Sequence, residues 1–495
     1  MDDAAAHPTP RLVLPERLDL YYGGAWRPAA SGARAECRNP GSGELLGDVA
    51  EAGPEDIDAA VAAAQAGFEV WRDVAPRERG RILRELARRV RIHGRELAML
   101  DAADCGNPVA EMYADAEAGA AQLDFFAGLV TEMKGASIPM GPDAVNFSVR
   151  EPLGVVARIL PFNHPLLFCA GKSGAILAAG NALIVKPPDQ APLSALRLTE
   201  LAEDLFPPGV WNLVPSGREA AQHLAGHPGV AKVALIGSVG AGRAVMRAAA
   251  ETLKPVLLEL GGKNALIAFP DADPDEVAQA VVAGMNFTWC GQSCGSTSRA
   301  FLHADIHDQV LERVAAAAAR FRPGLATDPN TTMGALASRA QYEKTLRYIA
   351  TARAEGARLV CGGGPPDDPE LKDGLFIQPT IFAEVTPQMT IAREEIFGPV
   401  LAVLKWSDPG QMLEQVNAVE YGLTCSIWTN DIDQAHRTAG RVQAGFIWVN
   451  EVGKHFLGAP FGGYKQSGLG REECLDELLA FTQEKNIHIR LRGGR

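Results

Sequence analysis

Gly154-Val155-Val156-Ala157-Arg158-Ile159-Leu160 begins a series that decides the fold, continued by Ala182-Leu183-Ile184-Val185-Lys186, Val210-Trp211-Asn212-Leu213-Val214 and Lys232-Val233-Ala234-Leu235-Ile236. The segments Leu183 to Lys186 and Val233 to Gly237 are nearly all apolar, as in strands covered on both faces. Helical spacing fills the gaps between strands over residues 165–179, 192–205, 216–224 and 240–251. Strands and helices alternating at this pace predict a parallel, doubly wound α/β sheet with right-handed crossovers. Such sheets bind ligands at the carboxyl ends of their strands.

Before this series, residues 1–17 read as a loose arm and 19–26 as a hairpin turning at Gly23-Gly24. Helices are expected over 54–71, 76–104 and 110–133, their Arg-rich faces being surface or subunit contact. After it, a second α/β region runs from about 262 to 464. It contains a strand at 264–269, a helix at 274–289, a strand at 299–302 and a helix at 308–320. Residues 480–490 read as a final strand. A chain of 495 residues suggests about three folding units. Its net charge of −13, without a basic run, opposes nucleic-acid or anionic-membrane binding. The first ten residues show no secretory signal, and no apolar run reaches the roughly 18 residues of a spanning helix. The 8 cysteines form no CxxC or Cys/His zinc spacing. Reduced thiols in a cytoplasmic protein, with no metal, are the expectation.

Chemistry-bearing residues stand at the loops. Cys294 lies in Gly291-Gln292-Ser293-Cys294-Gly295-Ser296-Thr297, where small neighbours let a carbonyl approach the sulfur and leave N–H groups for an oxyanion. A thiol there is expected to be partly thiolate, more so near a positive dipole. Glu259, in Leu258-Glu259-Leu260-Gly261-Gly262-Lys263, ends an apolar strand; partial desolvation would raise its pKa and suit a general base, while pairing with Lys263 is the alternative. Asn163, in Leu160-Pro161-Phe162-Asn163-His164-Pro165, can donate to an oxyanion or cap a helix. Ile236-Gly237-Ser238-Val239-Gly240-Ala241-Gly242 joins strand to helix and suits a phosphate, although its spacing is not GxGxxG.

These segments, in this order, resemble the aldehyde dehydrogenase superfamily. So do Glu395-Ile396-Phe397-Gly398-Pro399-Val400 and the stretch from Pro460 through Gly468 to Glu472, and the likeness covers about Tyr22 to Lys485. The resemblance implies a Rossmann-like nucleotide-binding domain over 1–130 and 152–261 and an α/β catalytic domain over 262–464. A small β oligomerisation element would combine 131–151 with 480–495, giving a homodimer or homotetramer. It also implies NAD-dependent oxidation of an aldehyde to a carboxylic acid. In that chemistry Cys294 is the nucleophile, and Asn163 with the Cys294 N–H stabilises the oxyanion. Glu259 activates the hydrolytic water, and Lys172 with Glu472 forms a proton relay. For the cofactor, Lys186 matches the adenosine-ribose lysine. Asp189, where Glu is common, favours NAD over NADP. Ser238 would hold the pyrophosphate with Gly237, Gly242 and Leu260 beside it. Glu395 would bind the nicotinamide ribose with Phe397 near the ring, Ile159 and Leu160 would give backbone or apolar contacts, and Gln341 is a further candidate.

His164, Phe168, Trp289 and Phe461 would line a mostly apolar substrate tunnel, roomy beside Gly171. An aromatic, terpenoid or medium aliphatic aldehyde is expected. The charged loop at 451–456 leaves a polar or anionic semialdehyde as the alternative. A CoA-acylating enzyme is opposed by the presence of Glu259, and a catalytically idle relative by the intact set of chemical residues. Cys290, four residues before Cys294, reads as an inert neighbour rather than the partner in a redox disulfide.

Overall fold

The computed structural model describes residues 11–492, so most of the expected N-terminal arm lies outside the described residues. Five parallel strands form the centre of an eight-stranded sheet, in the order Trp211–Leu213, Ala182–Lys186, Val155–Ile159, Lys232–Gly237, Val256–Leu260. The chain starts in the middle, winds to one side, then returns and winds to the other. The switch falls between Val155–Ile159 and Lys232–Gly237, where doubly wound sheets leave a crevice at the strand ends. Ile159 is in register with Lys186 and with Leu235, which aligns those ends along one edge. The hairpin Leu20–Tyr22/Ala25–Arg27 closes one side of the sheet, and Gly23 and Gly24 take the positive φ its turn requires (63° and 78°).

The other side is closed from far along the chain. Gly468–Leu469 pairs antiparallel with Val256–Leu260, setting Gly468 opposite Glu259. The C-terminal motif is thereby folded onto the strand that carries the expected base. A second sheet has seven strands, with Ala265–Ala268 between Arg299–His303 and Thr424–Trp428. All its pairings are parallel except that of the edge strand Arg358–Cys361. Its inner residues Leu266, Ile267, Phe301 and Leu302 have no solvent exposure, each contributing about 1.5–3 kcal/mol by burial. A third sheet stands apart from both. Thr482–Arg490 pairs with Ala144–Pro152 over nine residues, and Ser137–Ile138 adds a short third strand.

Three long helices expected from periodicity are broken. The one over 76–104 is Pro76–Ile92 and Gly94–Cys105, parted at His93. The one over 165–179 is Pro165–Gly171 and Gly174–Ala178, with the break at Lys172-Ser173 between two glycines, which tolerate helix poorly. The one over 274–289 stops at Gly284. Asn286 and Cys290 then adopt left-handed backbone (φ 56° and 54°) around a 3₁₀ turn, Phe287–Trp289. The expected final strand begins at Thr482, after a short helix Leu475–Ala480. Among the described residues no helix is long and apolar enough to cross a membrane.

Candidate active site

The broken helix before Cys294 feeds a loop pinned from outside. The Asn264 amide donates to the Cys294 carbonyl (2.7 Å) and the Ser296 carbonyl (3.0 Å), while its oxygen accepts from the Thr424 N–H (3.0 Å). Gly291 has φ 64°, and a Cβ there would lie 2.3 Å from the Gly398 carbonyl, so the loop packs backbone to backbone. Among the described residues no carbonyl accepts from the Cys294 N–H, which leaves it free for an oxyanion.

Cys294, Glu259 and Ile236 line two cavities at once. One, about 260 Å³, is bounded by His164, Phe168, Trp289, Trp448, His455 and Phe461, among others. The other, about 160 Å³, is bounded by Asn163, Gly237, Ser238, Gln341, Lys344, Glu395 and Phe397. The sulfur thus sits where two differently furnished chambers meet. Ser238 continues from the second chamber into a cleft of about 440 Å³ between helices Arg218–Gly226 and Val239–Ala250, floored by Ile159.

Glu259 is buried, and one of its oxygens has no hydrogen-bond partner. Burial pushes its pKa up to about 8, with the Glu472 charge adding to the rise and the neighbouring Cys294 thiol acting the other way. Burial, then Glu259, Glu395 and Glu472, drive the Cys294 thiol well above its ordinary value. These acidic surroundings work against the expected partial ionisation of the sulfur. Lys263 does not pair with Glu259. Its amine is fully buried without a partner, and burial lowers its pKa to about 7.

Lys172 and Glu472 meet at 3.1 Å, but in company. Arg158 bonds Glu472 at 2.8 Å, Lys172 reaches Glu473 at 3.2 Å, and Glu473 meets His455 at 3.0 Å. Burial would lower the Lys172 pKa, but Glu472, Glu473 and Glu477 outweigh it and hold the ammonium charged. Burial opposes ionisation of Glu472 likewise, and Arg158 and Lys172 overcome it. The chain of charges runs from beside Glu259 to His455, whose side chain is 42% exposed.

On the nucleotide side, Glu395 accepts from the Gly262 N–H (3.0 Å), and a Cβ on Gly261 would lie 2.0 Å from its carboxylate. Gln341 donates to the carbonyls of Ile396 and Phe397 (2.8 and 2.7 Å), holding Phe397 in left-handed backbone (φ 56°). Lys186 and Asp189 form an ion pair. The Ser238 hydroxyl accepts from the Ala241 N–H and caps its helix. Leu160, Gly242 and Leu260 lie outside the three spaces. Leu160 and Leu260 are buried, and Gly242 makes room for Leu260, whose methyl would be 2.6 Å from a Cβ at 242.

The chamber of about 260 Å³ has a mostly apolar lining that also includes charged groups. All four predicted lining residues are there, but so are Asp115, Gln122, Glu472 and Glu473. The space expected beside Gly171 is filled by the Gln122 amide, which a Cβ at 171 would meet at 2.4 Å. At the mouth, Lys454 pairs with Glu451 (2.7 Å), so that loop offers no free cation to an anionic substrate. Cys290 is fully buried, its sulfur donating to the Gly334 carbonyl, which supports the inert reading. One His/Asp cluster, Asp58, His223 and His227, lies elsewhere on the surface. His227 Nδ1 accepts from the Gly229 N–H, so its proton sits on Nε2, facing Asp58, and no lone pair faces a metal there.

Several participants escaped sequence reasoning. Arg158 had a signal: a guanidinium inside an otherwise apolar strand demands a buried partner. Asn264, Asp115, Gln122, Lys344 and Glu473 had none, because their roles come from contacts distant in sequence.

A thiol and a carboxylate thus share the wall between an aromatic chamber and a second chamber that opens toward a large cleft. The chain belongs to the aldehyde dehydrogenase family, whose model matches residues 26–487. Aldehyde dehydrogenase tropH of Talaromyces stipitatus is 52% identical over 490 residues, covering 97% of this chain and 95% of that protein. A crystal structure of a putative aldehyde dehydrogenase from Burkholderia cenocepacia is 38% identical, with a TM-score of 0.94 over 96% of this chain and 97% of the other. The NAD+ complex of an aldehyde dehydrogenase from Bacillus cereus is 37% identical, with a TM-score of 0.93 and the same coverage.

Proposed function

We propose that this aldehyde dehydrogenase uses NAD and carries the acyl group on Cys294, with Glu259 serving both as acceptor of the thiol proton and as base toward water. The carrying observation is that Cys294 and Glu259 line both the aromatic chamber and the nucleotide chamber.

The residues present fit the cofactor. Gly261 leaves room for Glu395, the cleft above Ile159 is open, and Asp189 beside Lys186 offers a carboxylate to a ribose hydroxyl and repels a 2′-phosphate. Ser238 at the head of a helix suits a pyrophosphate, and Glu395 and Phe397 the nicotinamide riboside. When bound, NAD supplies positive charge and the hydride acceptor that converts the thiohemiacetal to a thioester. Glu259 takes the proton from Cys294 as sulfur attacks the carbonyl carbon. The Asn163 amide and the Cys294 N–H hold the oxyanion, each donor being worth about 10²–10³ in rate. Glu259 then removes a proton from water attacking the thioester, which releases the carboxylic acid. The proton leaves along Glu472, Lys172, Glu473 and His455 to solvent.

The test is NADH absorbance across an aldehyde panel with Cys294→Ser as control. Turnover that persists in Cys294→Ser rejects the reading. Added CoA should leave the free acid as product, because Glu259 supplies a hydrolytic base. The aromatic walls of the chamber, Phe168, Trp289, Trp448 and Phe461, support an aromatic aldehyde. The projecting sheet of Thr482–Arg490 and Ala144–Pro152 exposes Ile138, Val145 and Ile489 and supports a homodimer or homotetramer, to be read from mass in solution.

A further inference from the structure

The turn Asn163-His164-Pro165-Leu166 is held at both ends by the helix Gly94–Cys105 and the residues just past it. Asp101 accepts from the Leu166 N–H (3.0 Å), and Asn107 Nδ2 donates to the Asn163 carbonyl (2.7 Å). Between them, Pro165 has no N–H, and the His164 carbonyl accepts from the Phe168 N–H (3.1 Å). Asn163 lines the nucleotide-side chamber with Cys294 and Glu259. Its Oδ1 has no hydrogen-bond partner among the described residues, so no bond to that oxygen steers the amide. The amide takes its direction from the main chain at 163.

Asn107 is 1% exposed and lines neither chamber. Its Oδ1 has no donor, and the Asn163 carbonyl is the one group its side chain bonds among the described residues. A buried amide whose oxygen goes unpaired lowers stability, where an aliphatic side chain of similar size would not. What it contributes is the position of one carbonyl. The neighbouring residue reaches the loop of the sulfur. The Gly106 carbonyl accepts from the Ala335 N–H (2.9 Å), and a Cβ on Gly334 would lie 1.8 Å from that carbonyl, so the two main chains touch directly. Gln292, two residues before Cys294, donates to the Ala335 carbonyl (3.4 Å) and accepts from the Ala337 N–H (3.1 Å). Gly106-Asn107 is thus a strap between the turn that offers the side-chain oxyanion donor and the loop that offers the thiol.

We propose that Asn107 is a positioning residue for the oxyanion site, setting through the Asn163 carbonyl where the Asn163 amide stands relative to Cys294. This rests on the reading of Asn163 as oxyanion donor and Cys294 as nucleophile. A donor aimed at a developing charge acts only if its own support is fixed beforehand, and Asn107 is the support the Asn163 main chain has. Because Asn107 borders neither chamber, its effect on the reaction passes wholly through Asn163.

The experiment is a double-mutant cycle on Asn107→Leu and Asn163→Ala in the full chain, with NAD and whichever of benzaldehyde, hexanal or succinate semialdehyde the wild type turns over fastest. Stopped-flow absorbance reads the single-turnover rate of NADH formation, with KM for NAD and the melting midpoint measured alongside. Asn107→Leu should slow that step by about 10- to 100-fold, since a misplacement of roughly 1 Å can cost about 10²-fold. KM for NAD should stay within about twofold, because the loss falls on the transition state. Added to Asn163→Ala, the same substitution should change the rate by less than about twofold, the group it positions being gone. Losses that multiply, in step with a lowered melting midpoint, mean a packing role and overturn the inference, as does Asn107→Leu at the wild-type rate. Asn107→Ala, which only removes atoms, repeats the cycle if the leucine variant does not fold. Failure of both to fold assigns Asn107 to stability and also overturns the inference. Asn163→Ala at the wild-type rate, or turnover that persists in Cys294→Ser, instead removes the reading of those residues on which the inference rests.

Discussion

The Cys294 sulfur and the Glu259 carboxylate share the wall between two cavities. Burial lifts the proton demand of both groups, and the charge of Glu259 lifts that of Cys294 further. The two groups therefore face both cavities, and the proposed mechanism uses them in two successive proton transfers.

The pH dependence follows with a definite sign. A base acts when deprotonated, and burial sets the Glu259 pKa at about 8, so kcat/KM should climb with rising pH through that value. Glu259→Gln should flatten the climb and slow thioester hydrolysis by about 10²–10⁴. Stopped-flow absorbance should then show one NADH per active site followed by a slow phase. A wild-type profile that is level across about pH 6 to 9 contradicts this assignment.

Gly261 should act on the cofactor alone. A Cβ there would lie 2.0 Å from the Glu395 carboxylate, which also accepts from the Gly262 N–H. Gly261→Ala must displace Glu395, costing about one charge-assisted hydrogen bond, or roughly tenfold. KM for NAD should rise by that factor while KM for the aldehyde stays within about twofold. Equal rises in both would place the damage elsewhere.

Removing Arg158 should be severe. Its side chain is fully buried against Glu472, and without it Glu472 keeps only Lys172, which it shares with Glu473. Arg158→Met fills the volume but strands negative charge, at a cost of about 3–5 kcal/mol of stability. Urea unfolding with unchanged m-value would measure it, and a loss below about 1 kcal/mol would mean that the charges are hydrated.

The main sheet and the thiol loop were readable from local pattern. Ala182 to Val185 is a buried, wholly apolar run, and Cys294 sits among small residues. The charged groups within the chamber were not readable, because tertiary contacts bring them there. Gly171 suggests empty space in a sequence, yet Gln122, 49 positions earlier, fills it. The helix expected through Trp289 failed for a related reason. Its periodicity is sound, but Asn286 bonds Ser296 and turns the backbone left-handed, a contact that periodicity cannot report. Lys172 sits in a helical pattern that breaks where its ammonium meets carboxylates some 300 residues away.

Glu473 makes the charge chain acid-labile. Burial works against its ionised form, but Lys172 and His455 prevail and bring its pKa to about 2, against 4.5 for a free carboxyl. A carboxyl depressed on folding contributes stability that is full above its unfolded pKa and fades as pH falls from about 4.5 toward 2. At neutral pH that contribution is roughly 2–4 kcal/mol. Glu473→Gln keeps the side-chain shape and removes the charge, so its deficit relative to wild type should be present at pH 7 and vanish near pH 2 to 3. Chemical denaturation at both pH values measures the difference. A deficit that persists undiminished in acid would trace to lost packing and would sever Glu473 from the charge chain joining Lys172 to His455.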